Sequence, residues 1–144
     1  MSLSLYLPLA LAVLSFVLYN VFQKSIAPNA DPYLSLIVTY MVAGITAAIA
    51  YLVSKGGSIS VFQDFRQLNW ATFALGFAVV GVELGFLFAY RNGWNIGVAS
   101  LLVNVSVALI LIPVGLLFFR EHIAPANYIG IVLCIVGLIL VAKN

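Results

Sequence analysis

The sequence predicts an all-α membrane protein of five transmembrane helices, with little chain outside the bilayer. Composition is the first reason: of 144 residues, 65% are hydrophobic and 7% charged, against about 25% charged in an average soluble domain. A soluble domain this small has too much surface to cover with so few polar groups. The second reason is length, since apolar runs of about 20 residues, enough to cross a bilayer at ~1.5 Å per residue, recur along the chain. The third is punctuation, because prolines, glycines, asparagines and charges fall between those runs.

The first span is expected from about Leu5 to Ile26. Pro28, Asn29, Asp31 and Pro32 break it, as proline lacks a donor and disfavours helix in the residue before it. The second runs from about Pro32 to Val53 and ends at the turn Lys55-Gly56-Gly57-Ser58. Residues 59–68 form the one long loop, in which Val61, Phe62, Phe65 and Leu68 recur at helical spacing opposite Gln63, Asp64, Arg66 and Gln67. This pattern predicts a short helix lying in the membrane interface. The third span runs from about Trp70 to Tyr90 and stops at Arg91-Asn92-Gly93. The fourth covers about Ile96 to Phe119, and the fifth about Pro125 to Ala142. Tyr6, Tyr33, Trp70, Tyr90, Trp94 and Tyr128 fall near these ends, as an aromatic belt requires.

Composition also narrows the function. A net charge of +2 is too small to point to a nucleic-acid partner. The single cysteine, Cys134, leaves no intrachain disulfide and no cysteine-based metal cluster. The opening MSLSLY lacks the basic region of a signal peptide, so the first apolar run is expected to stay as a helix. No nucleophile–base pair, HExxH, phosphate loop or cofactor motif is present. Neither enzyme chemistry nor a cofactor or metal is therefore expected.

Basic residues in short loops normally set membrane orientation. One face carries Lys55, Arg66 and Arg120, and the other Lys24, Arg91 and Lys143. That balance permits insertion in both orientations; a single dominant residue or the lipid can also select one.

Glu83 carries the functional argument. It stands inside the third span, in Val82-Glu83-Leu84-Gly85-Phe86, where a charge costs about 2.5–3.5 kcal/mol on insertion scales. Burial raises a carboxylate's pKa, so a cationic solute that favours the ionised form would compete with a proton. The plainer alternative is a protonated side chain bonded to a neighbouring helix. Asn104 lies as far into the fourth span as Glu83 lies before the end of the third, which matches their depths in antiparallel neighbours. Ser100 is one turn from Asn104, and Gly97 marks that helix start. The first span runs parallel to the third and brings Tyr19 and Asn20 to about the same level, on a face shared with Phe16 and Gln23. Aromatics and amides around one acid suit a small organic solute, with cation–π contact where it is charged. Each amide could equally be helix–helix glue.

Gly130, Cys134 and Gly137 form a small-residue stripe on the fifth span, the expected subunit contact. Pro113 should kink the fourth span or free a carbonyl, and so could serve as a hinge. His122, beside Arg120 and Glu121, is expected to make a headgroup-level ion pair or cap.

The stretch Gly97-Val98-Ala99-Ser100 through Leu116-Leu117-Phe118-Phe119-Arg120-Glu121, then Tyr128-Ile129-Gly130 and Val136-Gly137-Leu138-Ile139-Leu140-Val141, resembles the last two helices of the drug/metabolite transporter superfamily. The five-span count is similar to one repeat of its EamA-type branch, over nearly the whole of residues 1–144. Members with two such repeats carry them inverted within one chain, and this sequence has one. The resemblance therefore implies one half of an inverted-repeat transporter, completed by an antiparallel homodimer with the solute site near the midplane. The small multidrug resistance branch is a contrast: it has four spans and an essential acid in its first helix. Here that region reads Val13-Leu14-Ser15-Phe16-Val17, with no acid, so Glu83 would have to stand in from another helix.

The combined expectation is a multi-pass protein of a bacterial inner membrane that exports or exchanges small organic solutes by alternating access. Proton coupling would run through Glu83, with Asn104, Tyr19, Asn20 and Ser100 around it. The alternatives are a non-transporting or heterodimeric membrane subunit, and a facilitator in which Glu83 only recognises the solute.

Overall fold

The computed structural model of the chain describes residues 3–56, 60–120 and 125–142. Every regular element among them is a helix: α1 (Leu3–Ser25), α2 (Pro32–Lys55), α3 (Val61–Arg66), α4 (Trp70–Arg91), α5 (Ile96–Phe118) and α6 (Pro125–Ala142).

Local chemistry explains where these helices start and stop. Asp31 is the N-cap of α2, with its carboxylate accepting the Leu34 N–H at 2.8 Å. Pro32 follows at the first helical position, where its missing donor costs nothing. Ser35 reinforces the same turn by donating its hydroxyl to the Asp31 carbonyl at 2.7 Å. Gly56 ends α2 in the left-handed conformation, φ 54°, a position glycine occupies without a Cβ penalty. Beyond α5, Arg120 takes the same region at φ 52°, which turns the chain out of the helix. Pro113 lies inside α5, which continues through it; the Leu109 carbonyl therefore lacks its usual helical donor.

The chain divides into two compact units. One is Phe22–Arg91, and the other joins Met1–Val21 to Asn92–Asn144. Within the first, α2 packs on α4; within the second, α5 packs on α6.

Neither unit has the interior of a soluble domain. The buried apolar side chains are few (Leu36, Phe86, Leu87, Tyr90 and Ala99), while residues such as Phe77 and Leu117 are 82% and 77% exposed. Such a surface is stable only against a hydrocarbon solvent. Among the described residues, four helices are long and apolar enough to cross a membrane: Tyr6–Ser25, Pro32–Lys55, Trp70–Arg91 and Ile96–Phe118. α6 has 18 residues, about 27 Å at the helical rise, fewer than any of those four.

Within the stretch 59–68, where a short helix is expected, the structure has the six-residue α3. It is shorter because Gln67 and Leu68 close a turn with N–H bonds to Asp64 and Phe65. Val61, Phe62 and Phe65 stand exposed on it. Asp64 points back to α2, accepting from the Tyr51 hydroxyl at 2.6 Å and pairing with Lys55 at 2.7 Å. The ammonium of Lys55 and then the hydroxyl of Tyr51 hold the Asp64 carboxyl below its usual range.

Candidate solute-binding region

Within the unit Phe22–Arg91, Glu83 sits on the one closely covered face of α4. It is 8% exposed, and Phe86, Leu87 and Tyr90, at i+3, i+4 and i+7, are 4%, 1% and 5% exposed. The spacing is that of one helical stripe, so α4 places its acid where it places its best-packed side chains.

The chain before α2 is tied to this stripe by polar side chains. Gln23, itself 6% exposed, donates its amide to the backbone carbonyl of Glu83 at 2.8 Å. A buried amide must find an acceptor, and a helical carbonyl offers a second lone pair. The next residue, Lys24, donates to the Tyr90 carbonyl, two turns beyond Glu83, at 3.2 Å and lies 5.4 Å from the centre of its ring. Arg91 donates to the Ala30 carbonyl at 2.6 Å. The Tyr90 and Ala30 carbonyls belong to a helix end and a loop that would otherwise need water, and the cations complement the C-terminal end of α4. From α2, Tyr40 lines a groove together with Thr72, Gly76 and Val79, which lie on the Glu83 stripe of α4.

The other unit holds the remaining candidates. Tyr19 stacks on Phe16 with ring centres 5.7 Å apart, and Asn20, 6% exposed, donates to the Phe16 carbonyl at 2.7 Å. Asn104 donates to the carbonyl of Ser100 at 2.7 Å and to its hydroxyl at 3.2 Å. The two residues expected to share a face are thus bonded to each other.

Asn104 also lines a cleft of about 430 Å³ along the seam of α5 and α6, together with Gly130 and Cys134. Residues expected in separate solute and subunit roles therefore border one cleft. Cys134 is exposed, and a Cβ at Gly130 or Gly137 would meet nothing within 4 Å. The small residues leave room on α6 that this chain does not fill at those points. Glu121 and His122 lie outside the described residues, as does the ion pair or cap expected of His122.

Sequence reading gave no role to Tyr40 and placed Gln23 on a face without one. A signal for Tyr40 did exist: it stands eight residues after α2 begins, and Glu83 eight before α4 ends. For the bond between Gln23 and Glu83, 60 residues apart, there was none.

Apolar helices of spanning length, with one buried carboxylate among the described residues, define a multi-pass α-helical membrane protein. Residues 3–143 match the EamA-like transporter family of the drug/metabolite transporter superfamily, and the chain belongs to that family. It is accordingly a transporter-family protein whose relatives move small solutes. Neither a search of curated proteins nor one of solved structures found a match.

Proposed function

We propose that this protein is a secondary transporter that exports or exchanges small organic solutes by alternating access, with Glu83 as the acid that binds solute or proton. The observation that carries this reading is the burial of Glu83 on the packed stripe of α4 in a transporter-family chain. An ionised group so placed is costly unless it is used. A protonated Glu83 that gives up its proton to accommodate a cation needs no other coupling device.

Tyr19, Asn20, Asn104 and Ser100 are the proposed solute contacts, and Pro113 a proposed hinge. Asn104 supports a further step. It is exposed midway along α5, and an amide facing bare hydrocarbon is unfavourable. In the functional assembly that surface meets a cavity or another subunit. We take α6 as the fifth span and the chain as one five-helix repeat, doubled as an antiparallel homodimer of dual topology in a bacterial inner membrane. The stripe Gly130, Cys134, Gly137 is its contact. Two copies of Glu83 near one cavity would titrate as a pair.

The test is proton release from purified protein in weak buffer on adding organic cations, amines and amino acids. Wild type should release protons with at least one class, and Glu83→Gln with none. Equal release by both proteins would remove Glu83 from the coupling step. Binding without release by wild type would leave a facilitator.

A further inference from the structure

A groove of about 420 Å³ runs along the seam of α2 and α4, lined by Tyr40 from α2 and by Thr72, Leu75, Gly76, Val79 and Val80 from α4. Thr72, Gly76, Val79 and Glu83 follow one another at i, i+4, i+7 and i+11, so the groove wall and the acid lie on one stripe of α4. The wall is almost wholly apolar. Its exceptions are the hydroxyls of Thr72 and Tyr40, and the Tyr40 oxygen is buried with no hydrogen-bond partner among the described residues. Such a group is costly to leave unmade.

We infer that this groove binds the apolar tail of an amine whose cationic head pairs with Glu83, and that the Tyr40 hydroxyl is a second polar contact of that head. The inference rests on the proposal that Glu83 binds solute, and it names the class: a primary amine carrying an alkyl or aryl chain. Charge selects the head, since a carboxylate favours a cation over a neutral or anionic group. Hydrophobic burial selects the tail, since each methylene covered by Leu75, Val79 and Val80 is worth about fourfold in affinity. Gly76 keeps the floor of the groove open, and a Cβ there would meet nothing within 4 Å. A larger side chain at that position therefore fills the groove without displacing backbone.

The experiment is calorimetric titration of full-length protein in lipid nanodiscs with methylamine, butylamine, hexylamine and octylamine. Tails also partition into lipid in proportion to their length, so the readout is the ratio of wild-type to variant affinity at each length. For Gly76→Leu that ratio should grow with the tail, at least tenfold from methylamine to hexylamine. Val80→Phe, which fills the groove from the next turn, should reproduce the trend. Tyr40→Phe should weaken all four amines by a similar factor, about five- to tenfold. A flat ratio for both filling variants, with binding still lost in Glu83→Gln, would overturn the groove and leave it covered by lipid. Undiminished binding by Glu83→Gln would instead overturn the reading of the acid itself. Unchanged affinities in Tyr40→Phe would remove the hydroxyl from the site.

Discussion

Glu83 is fixed through its backbone as well as its packing. The Gln23 amide on its carbonyl and the buried Phe86 and Leu87 on the same stripe hold this turn of α4 in place. A carboxylate that must exchange a proton for a solute benefits from such a frame, because its orientation is set before the solute arrives. Asp64 is the opposite case, an acid outside the spanning helices whose partners keep it ionised. Its folded-state pKa is depressed by Lys55 and Tyr51, so its stabilisation is fully present above the ordinary carboxylate pKa and is lost as pH falls through the depressed one. The expected outcome is faster hydrogen exchange in residues 60–69 in the acid range below about pH 4, after correction for intrinsic rates. Asp64→Asn should show that faster exchange at every pH. An acid dependence that survives in Asp64→Asn would place the titrating group elsewhere.

Among the elements, α2 has the most complete set of end signals: the Asp31 cap, Pro32 at the first helical position, and left-handed Gly56 at the close. Replacing the cap should cost about 1 kcal/mol, within the ~0.5–2 kcal/mol that caps contribute. Asp31→Ala should lower the unfolding midpoint accordingly, whereas Asp31→Ser should recover most of the loss. The starts of α2, α4, α5 and α6 at Pro32, Trp70, Ile96 and Pro125 were legible in the sequence. Breakers and apolar runs act within a few residues of where they stand. So was the bond from Asn104 to Ser100, because helical periodicity alone puts i and i+4 side by side. The bonds from Lys24 to Tyr90 and from Tyr51 to Asp64 were not, since a donor's identity does not name the carbonyl or carboxylate it will reach.

At the scale of the whole molecule, the proposed antiparallel pairing of two copies is open to direct measurement on α6. Its centre lies between Leu133 and Cys134, so in an antiparallel pair Gly130 of one copy stands level with Gly137 of the other. In a Cys134→Ala background, Gly130→Cys should cross-link to Gly137→Cys in mixed samples and form little dimer with itself. Self-linking at Gly130→Cys would indicate a parallel pair. Orientation is tested separately. Arg66, exposed on α3 with its guanidinium 4.5 Å from the centre of the Phe62 ring, contributes to one face of a balanced charge set. Arg66→Gln should shift a mixed population, read by tags on both termini, towards placing the opposite face in the cytoplasm. A population unmoved by this change would mean that loop charge does not set the topology.

What the sequence alone determined was the helical membrane class, the helix breaks, the isolated acid on α4 and the family, because composition, local punctuation and a whole-length pattern survive without coordinates. What only the tertiary structure decided was the company each polar group keeps. It brings Gln23 to the carbonyl of Glu83, Tyr40 to a groove along the stripe of that acid, Asp64 to the end of α2, and Asn104 to the same cleft as Gly130 and Cys134. The physical reason is that hydrophobic patterning fixes which stretches enter the bilayer but is nearly indifferent to which face meets which. In a solvent as apolar as the side chains themselves, packing shape and a few hydrogen bonds make that choice.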